Sequence, residues 1–240
     1  SRRDTLKAFS ATAVTREIPV PEIKEEIAEA KTAGQVIQTL KKLPDLVRQL
    51  TDQGVKPGIL RETVGSVYDA AIQRFIFQSL DESGHPSAPF AFVSLGSNAR
   101  HEMTMFSDQD NALIFADVPE GRLTEIRREF LLLADDVCGK LKQAGYPYCP
   151  GGIMAANPKW CLSVGEWKRK FNQWILKATP ETILEVNVFF DIRNAFGSDE
   201  LVDELREHVR ACTEANPEFF IFYAKNCLGY KAPLGLLGRI

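Results

Sequence analysis

The sequence predicts an α+β fold in which helices precede and follow a segment that forms a small β-sheet. Apolar residues recur at three- and four-residue steps over residues 22–81, which is typical of amphipathic helices. Two short apolar runs, at residues 90–95 and 111–116, have the length and the flanking turn residues of buried strands. Helical patterns return over residues 122–144 and again towards the C-terminal end. This order predicts helices packed around a central sheet.

The N-terminal part of the chain separates into two segments. Residues 1–20 are polar and poorly periodic, which indicates a linker or the tail of an upstream domain. Residues 21–83 are predicted to form an N-terminal helical region, in which prolines and glycines separate at least two helices.

The remainder of the chain is predicted to contain the sheet and a second set of helices. Residues 84–200 are interpreted as one domain, in which a loop rich in Pro and Gly leads to a third strand over residues 184–190. Residues 201–240 are predicted to begin a C-terminal helical region. Because the chain has no initiator methionine and no clear end signal, we expect it to be a fragment of a longer protein.

The composition excludes several classes of protein. With 32 acidic and 29 basic side chains the net charge is −3, so nucleic acid, which usually needs a basic face, is not expected as a partner. The five cysteines contain no C-x-x-C pair, so their spacing predicts neither a zinc site nor a disulfide framework. We therefore expect a reducing, cytoplasmic location. No apolar run approaches the roughly 20 residues that a membrane span needs, so no membrane partner is expected.

The segment from Gly96 to Asp110 carries the predicted chemistry. The first strand ends at Gly96, where the backbone can approach a phosphate closely, and Ser97 is predicted to cap a short helix whose free N–H groups attract anions. Asp108 and Asp110 open the next strand one residue apart, so their side chains point to the same side. If the two strands are neighbours, both carboxylates lie beside the Gly-Ser turn.

Two carboxylates that face one spot repel each other unless a cation lies between them. Mg²⁺ is a hard, oxygen-preferring ion that proteins often share with substrate phosphates, and Mn²⁺ is an alternative. A phosphate site beside a carboxylate-bound metal is the apparatus of phosphoryl or nucleotidyl transfer.

This pattern resembles a known group of enzymes. The Gly-Ser turn followed by Asp-x-Asp is similar to the signature of the polymerase-β-like nucleotidyltransferase superfamily. The fuller string, Gly96-Ser97-x-x-Arg100-x-Glu102 followed by Ser107-Asp108-x-Asp110, resembles the GlnD-type uridylyltransferases of the PII signalling protein. A closer resemblance, over most of the chain and including residues 149–160 and 189–193, is to a nucleotidyltransferase family commonly fused to CBS and cyclic-nucleotide-binding domains.

The resemblance implies a fold, a reaction and a set of metal ligands. The fold would be a nucleotidyltransferase fold with a mixed β-sheet. The reaction would move a nucleoside monophosphate from an NTP to an acceptor hydroxyl, with a protein as one candidate acceptor, and release pyrophosphate in a signalling context. The metal ligands would be Asp108, Asp110 and a third carboxylate from a later strand, for which Asp191 is the candidate and Glu185 the alternative.

The resemblance also implies nucleotide-binding residues. Gly96, Ser97 and Arg100 would hold the triphosphate, with Glu102 positioning Arg100. Asn157 would contact the nucleotide, whereas Arg193 would contact a phosphate or pair with Asp191. Regulatory CBS or cyclic-nucleotide-binding domains are expected upstream in the full-length chain.

Two hypotheses compete with the enzyme. The chain could be a catalytically silent module that senses Mg-nucleotide and relays its binding between regulatory domains. It could also be a scaffold whose helical region is the working surface. Retention of both Asp108 and Asp110 argues against a pure sensor, since a sensor has no need of two metal-binding carboxylates.

Overall fold

Four helices form the N-terminal part of the computed structural model, which describes residues 20–105, 107–177 and 186–229. They are α1 (Val20–Glu29), α2 (Ala33–Leu40), α3 (Leu43–Asp52) and α4 (Pro57–Ser83). Helix α2 begins with a capping box between Thr32 and Gln35, and α4 begins with a proline that suits the first helical turn. Helix α4 is 27 residues long and is the central element of this region, because α1, α2 and α3 all pack against it.

Four strands form a mixed sheet in the order β3-β2-β1-β4. Strand β1 (Phe90–Leu95) lies antiparallel to both β2 (Asn111–Phe115) and β4 (Ile192–Gly197). Strand β2 lies parallel to the short strand β3 (Cys161–Ser163). The sheet confirms the predicted α+β class, and it confirms that the two predicted apolar strands are neighbours.

Helices cover both faces of this sheet. Besides α4, the helices of this part are α5 (Gly96–Ala99), α6 (Glu120–Gln143), α7 (Val164–Leu176), α8 (Asp199–Ala215) and α9 (Glu218–Gly229), together with a 3-10 helix (Asn187–Phe190). Because side chains alternate along a strand, β1 and β2 contribute to two separate cores. One core contains Phe92, Leu113 and Phe115 with α4 and α6, and the other contains Val93 and Ile114 with α7 and α8.

The N-terminal helices share the first of these cores with the sheet. Ile72 and Phe75 of α4 are fully buried in the same cluster as Phe92 of β1 and Phe130 of α6. The segments before and after the predicted domain boundary at residues 83–84 therefore share one hydrophobic core. Their separation into two domains stays a prediction. Within the described ranges, no helix is both long and apolar enough to traverse a bilayer.

The third strand was predicted in the wrong place. Residues 187–190 form the 3-10 helix, the strand begins at Ile192, and residues 184–185 lie outside the described part of the chain. The apolar run was interpreted as a strand, but Phe189 packs against Trp160 and Trp174 below the sheet. The true strand β4 is a partly exposed edge that includes Arg193 and Asn194, so it lacks the apolar character that marks β1 and β2.

Candidate functional site

Two acids and a thiol converge at the end of β2. Asp108 and Asp110 lie immediately before this strand, and one ligand atom from each lies with the Cys149 sulfur in a group whose members are all within 4.8 Å of one another. In the part of the chain that the structure describes, this is the only such group of three or more His, Cys, Asp and Glu side chains. All three residues are partly buried. Their donor atoms fit a divalent cation, because two carboxylates and a thiol offer oxygen and sulfur ligands within reach of one ion.

The electrostatics of this group favour a cation. Burial raises the pKa of Asp110 to about 6, the interaction with the Cys149 thiol lowers it, and the negative charge of Asp108 raises it. Burial likewise raises the pKa of the Cys149 thiol. Both groups are therefore disfavoured in their charged forms by their surroundings, and a bound cation would reverse that preference.

Gln109 explains how Cys149 reaches the two acids. Its side chain points away from them into the core, where the amide donates to the carbonyl oxygens of Cys138 (3.1 Å) and Tyr146 (2.9 Å). Its backbone N–H donates to the carbonyl of Pro147 at 2.9 Å. These bonds hold the chain that leads into Cys149 against the acidic segment. Cys149 was absent from the predicted site, because no spacing motif connects it with acids about 40 positions earlier.

The bend between β1 and α5 requires a glycine for a steric reason. Gly96 has φ 53°, and a Cβ atom there would lie 2.5 Å from Cγ2 of Val188. Its N–H donates to the carbonyl of Asp191 at 3.0 Å, so this amide is used in a hydrogen bond within the protein. The N-cap position of α5 is Leu95, so Ser97 does not have the predicted capping role.

The bend and the acids are joined by two hydrogen bonds. The N–H of Leu95 donates to the carbonyl of Asp110 at 3.0 Å, and the side-chain amide of Asn98 donates to the carbonyl of Asp108 at 3.2 Å. Asn98 is fully buried, so its amide has little freedom to turn elsewhere. The structure thus brings together the predicted residues Gly96, Asp108 and Asp110 as neighbours.

Arg100 and Asp191 are paired with each other. The Arg100 guanidinium donates to Glu102 at 2.9 Å and also to the Asp191 carboxylate. Asp191 therefore lies outside the group formed by Asp108, Asp110 and Cys149. A role for Asp191 as third metal ligand stays a prediction, and Glu185 lies outside the described residues.

Arg193 pairs with Asp69 and not with Asp191, and its predicted phosphate contact stays a prediction. It donates to both carboxylate oxygens of Asp69, at 2.5 and 2.9 Å, and to the carbonyls of Asn98 and Ala99, each at 2.9 Å. His101 approaches the same carboxylate at 3.0 Å. Arg193 thereby connects the C-terminal end of α5 to helix α4. This role could not be predicted from the sequence, because Arg193 and Asp69 are 124 positions apart.

Asn157 stabilises the loop at residues 149–160. Its side-chain amide donates to the carbonyl of Gly152 at 2.8 Å, and its side-chain oxygen accepts the N–H of Lys159 at 3.1 Å. Trp160 donates to the same Gly152 carbonyl at 3.0 Å. The loop is thus an ordered turn, and the predicted nucleotide contact of Asn157 would compete with these bonds.

Comparison with known proteins agrees with this geometry. A family model described as "Putative nucleotidyltransferase DUF294" matches residues 41–181, which is more than half of the 240-residue chain. The matched range includes the bend at Gly96, both acids and Cys149. No curated protein matches the chain. The mixed sheet with flanking helices is consistent with a nucleotidyltransferase fold, and the chain belongs to the DUF294 nucleotidyltransferase family.

Proposed function

We propose that the chain is a metal-dependent nucleotidyltransferase that moves a nucleoside monophosphate from an NTP to an acceptor hydroxyl and releases pyrophosphate. One observation carries the proposal: Asp108 and Asp110 converge on one spot and are hydrogen-bonded through their backbone to the bend at Gly96. Membership of a nucleotidyltransferase family supports it independently.

The carboxylates of Asp108 and Asp110 would hold the metal ion, with Mg²⁺ as the first candidate and Mn²⁺ as the second. When bound, such an ion neutralises phosphate charge and orients the reacting oxygens. The protein contributes fixed positions for the two acids. Asn98 and Leu95 bind the backbone carbonyls of the acidic segment, so the backbone that carries both acids is held in place before a metal binds.

The triphosphate would lie on the side of the bend that carries Ser97 and Arg100. The Arg100 side chain is 44% exposed, so its guanidinium can reach a ligand. Arg193 is less exposed and is bound to Asp69 and to two backbone carbonyls. We therefore assign phosphate binding to Arg100 and a positioning role to Arg193, with Asp191 joining the metal ligands once Arg100 binds phosphate.

A hydroxyl group of a protein is the first candidate for the acceptor of the nucleoside monophosphate, because the motif resembles that of enzymes that modify a signalling protein. In the full-length chain, upstream CBS or cyclic-nucleotide-binding domains would place the reaction under regulation. The N-terminal helices would then lie between the regulatory domains and the site.

The test combines nucleotide binding with transfer. Thermal unfolding is measured with each NTP, with and without Mg²⁺ or Mn²⁺, and α-labelled NTP is then incubated with hydroxyl acceptors that include the chain itself. We expect metal-dependent stabilisation by an NTP, since a ligand of the native state raises the unfolding temperature. We also expect labelled product from the wild type and none from Asp108→Asn or Asp110→Asn.

Asp203→Asn is the matched control, because this exposed acid pairs only with the nearby Arg206 among described residues. Transfer that survives in Asp108→Asn or Asp110→Asn would refute the proposed active site. Stabilisation by Mg-nucleotide without transfer would favour the sensing module, and absence of any nucleotide effect would favour the scaffold.

A further inference from the structure

We infer that the Cys149 thiol is a direct ligand of the metal, so that the site also takes divalent transition-metal ions of the Co²⁺ or Zn²⁺ class. This inference rests on the proposed function, because it concerns the same site. It adds a third ligand to the two carboxylates, which alone suit Mg²⁺, and a thiolate binds softer ions more strongly.

The ligand atoms lie close enough to share an ion after small movements. Zn²⁺ binds carboxylate oxygen and thiolate sulfur at about 2.0 to 2.3 Å with tetrahedral geometry, so neighbouring ligand atoms of one ion lie about 3.5 Å apart. The ligand atoms of Asp108, Asp110 and Cys149 all lie within 4.8 Å of one another. Small side-chain movements would therefore place all three in coordination range.

The position of Cys149 is determined by backbone contacts on both of its sides. Before it, the N–H of Gln109 donates to Pro147 at 2.9 Å, and Gln109 forms a parallel bridge with Tyr148. After it, the N–H of Gly152 donates to the Cys149 carbonyl at 2.9 Å, closing a turn with φ 67° at Gly152. Gln109 lies between the two acids in the sequence and is fully buried. Its contacts therefore help to hold the Cys149 sulfur beside both acids.

The other described cysteines have different surroundings. Cys138 and Cys161 are buried in the hydrophobic core, at 1% and 0% exposure. Cys212 contacts Asn172 and His208 between α7 and α8. Of the cysteines whose side chains the structure describes, Cys149 alone joins two acids in a potential metal-binding group.

Co²⁺ is the probe, because a thiolate bound to Co²⁺ gives a near-ultraviolet charge-transfer band that carboxylate ligands do not give. The purified chain is titrated with Co²⁺ and its absorption recorded. We expect this band in the wild type and its loss in Cys149→Ser, with Co²⁺ affinity reduced at least about tenfold. Cys212→Ser is the matched control and should keep both the band and the affinity.

A second measurement does not depend on a folded variant. Alkylation of Cys149 in the wild type is followed by peptide mass spectrometry with and without Co²⁺, and we expect the metal to slow it at least tenfold. Mg²⁺ at the same concentration should protect far less.

The outcomes separate this inference from the proposed function. The thiol is not a ligand if Co²⁺ binds the wild type without the band and binds Cys149→Ser equally well. The carboxylate site stands in that case if Asp108→Asn no longer binds Co²⁺. If Asp108→Asn and Asp110→Asn bind Co²⁺ as the wild type does, the metal site of the proposed function is itself wrong.

Discussion

Two clusters of charged residues contact the short helix α5, and they differ in how their charges are compensated. In one cluster, Arg100 and Arg193 are paired with Asp191 and Asp69, and His101 lies between Asp69 and Glu62. In the other cluster, Asp108 and Asp110 form no ion pair with a described residue and lie together with the Cys149 thiol.

This difference distinguishes charged residues that stabilise the fold from acids whose charge no described cation compensates. A partly buried charge that has protein partners contributes to a defined geometry, whereas a partly buried charge without one is a cost that folding tolerates for function. The paired cluster connects α4, α5 and β4, and the unpaired acids lie where a cation would bind. The following variants test that division, from the largest expected effect on stability to the smallest.

Arg193→Met should destabilise the protein most, by about 3 to 4 kcal/mol, because it removes the charged donor that binds Asp69 and two carbonyls of α5 and leaves the Asp69 carboxylate with the His101 contact. Denaturant unfolding measures the change. Arg48→Met is the control: this arginine is 73% exposed and pairs one helical turn away with Asp45, so its loss should cost less than about 1 kcal/mol. Equal effects of the two substitutions would contradict a structural role for Arg193.

Gly96→Ala should cost about 2 to 3 kcal/mol, because alanine is strained at φ 53° and its Cβ would collide with Val188. The double variant with Val188→Ala should recover the part due to collision and leave the part due to backbone strain, as a double-mutant cycle can measure. If Val188→Ala gives no recovery, the close packing between these two residues is not what demands the glycine.

Gln109→Leu should cost about 2 kcal/mol, because it leaves the buried carbonyls of Cys138 and Tyr146 without their shared donor. It should also loosen the chain that precedes Cys149 and so weaken metal binding, which calorimetric titration with Co²⁺ would show. Full metal affinity in a folded Gln109→Leu protein would argue against the positioning role of this side chain.

Asp110→Asn should have the smallest effect on stability, and it should stabilise the protein. We expect its free energy of unfolding to rise by about 1 kcal/mol at pH 7 without metal. The folded-state pKa of about 6 exceeds the ordinary aspartate value of 3.8, so ionised Asp110 opposes folding above pH 6, and this penalty disappears as pH falls towards 4. The gain is small because the carboxylate is partly exposed and keeps much of its hydration. Thermal unfolding at pH 7 and pH 4 measures the gain, which should vanish at the lower pH.

The sequence predicted those features that depend on local pattern. Strands β1 and β2 are short apolar runs, and the helix predicted over residues 122–144 is observed as α6 over Glu120–Gln143. Asp108 and Asp110 converge as predicted, but they do not open the strand: β2 begins at Asn111, and Gln109 between the two acids forms an isolated bridge with Tyr148.

The features that the sequence did not predict depend on contacts between distant segments. Strand β4 is an edge strand whose residues are mostly half exposed, so its polar side chains resemble those of a loop. Cys149 lies beside Asp110 through contacts of Gln109 before it and of Asn111 after it, and Arg193 meets Asp69 across 124 positions. Neither pairing leaves a spacing signature, because both arise from how the helices pack on the sheet.

The core shared by α4 and the sheet has a practical consequence for dissecting this protein. A chain shortened to begin at residue 84 would uncover the side chains of Phe92, Leu113 and Phe115, which now lie under the N-terminal helices and α6. An exposed apolar sheet face of this kind is prone to aggregation. Recombinant versions meant for assay should therefore begin upstream of Val20, so that the helices remain as the cover of the sheet.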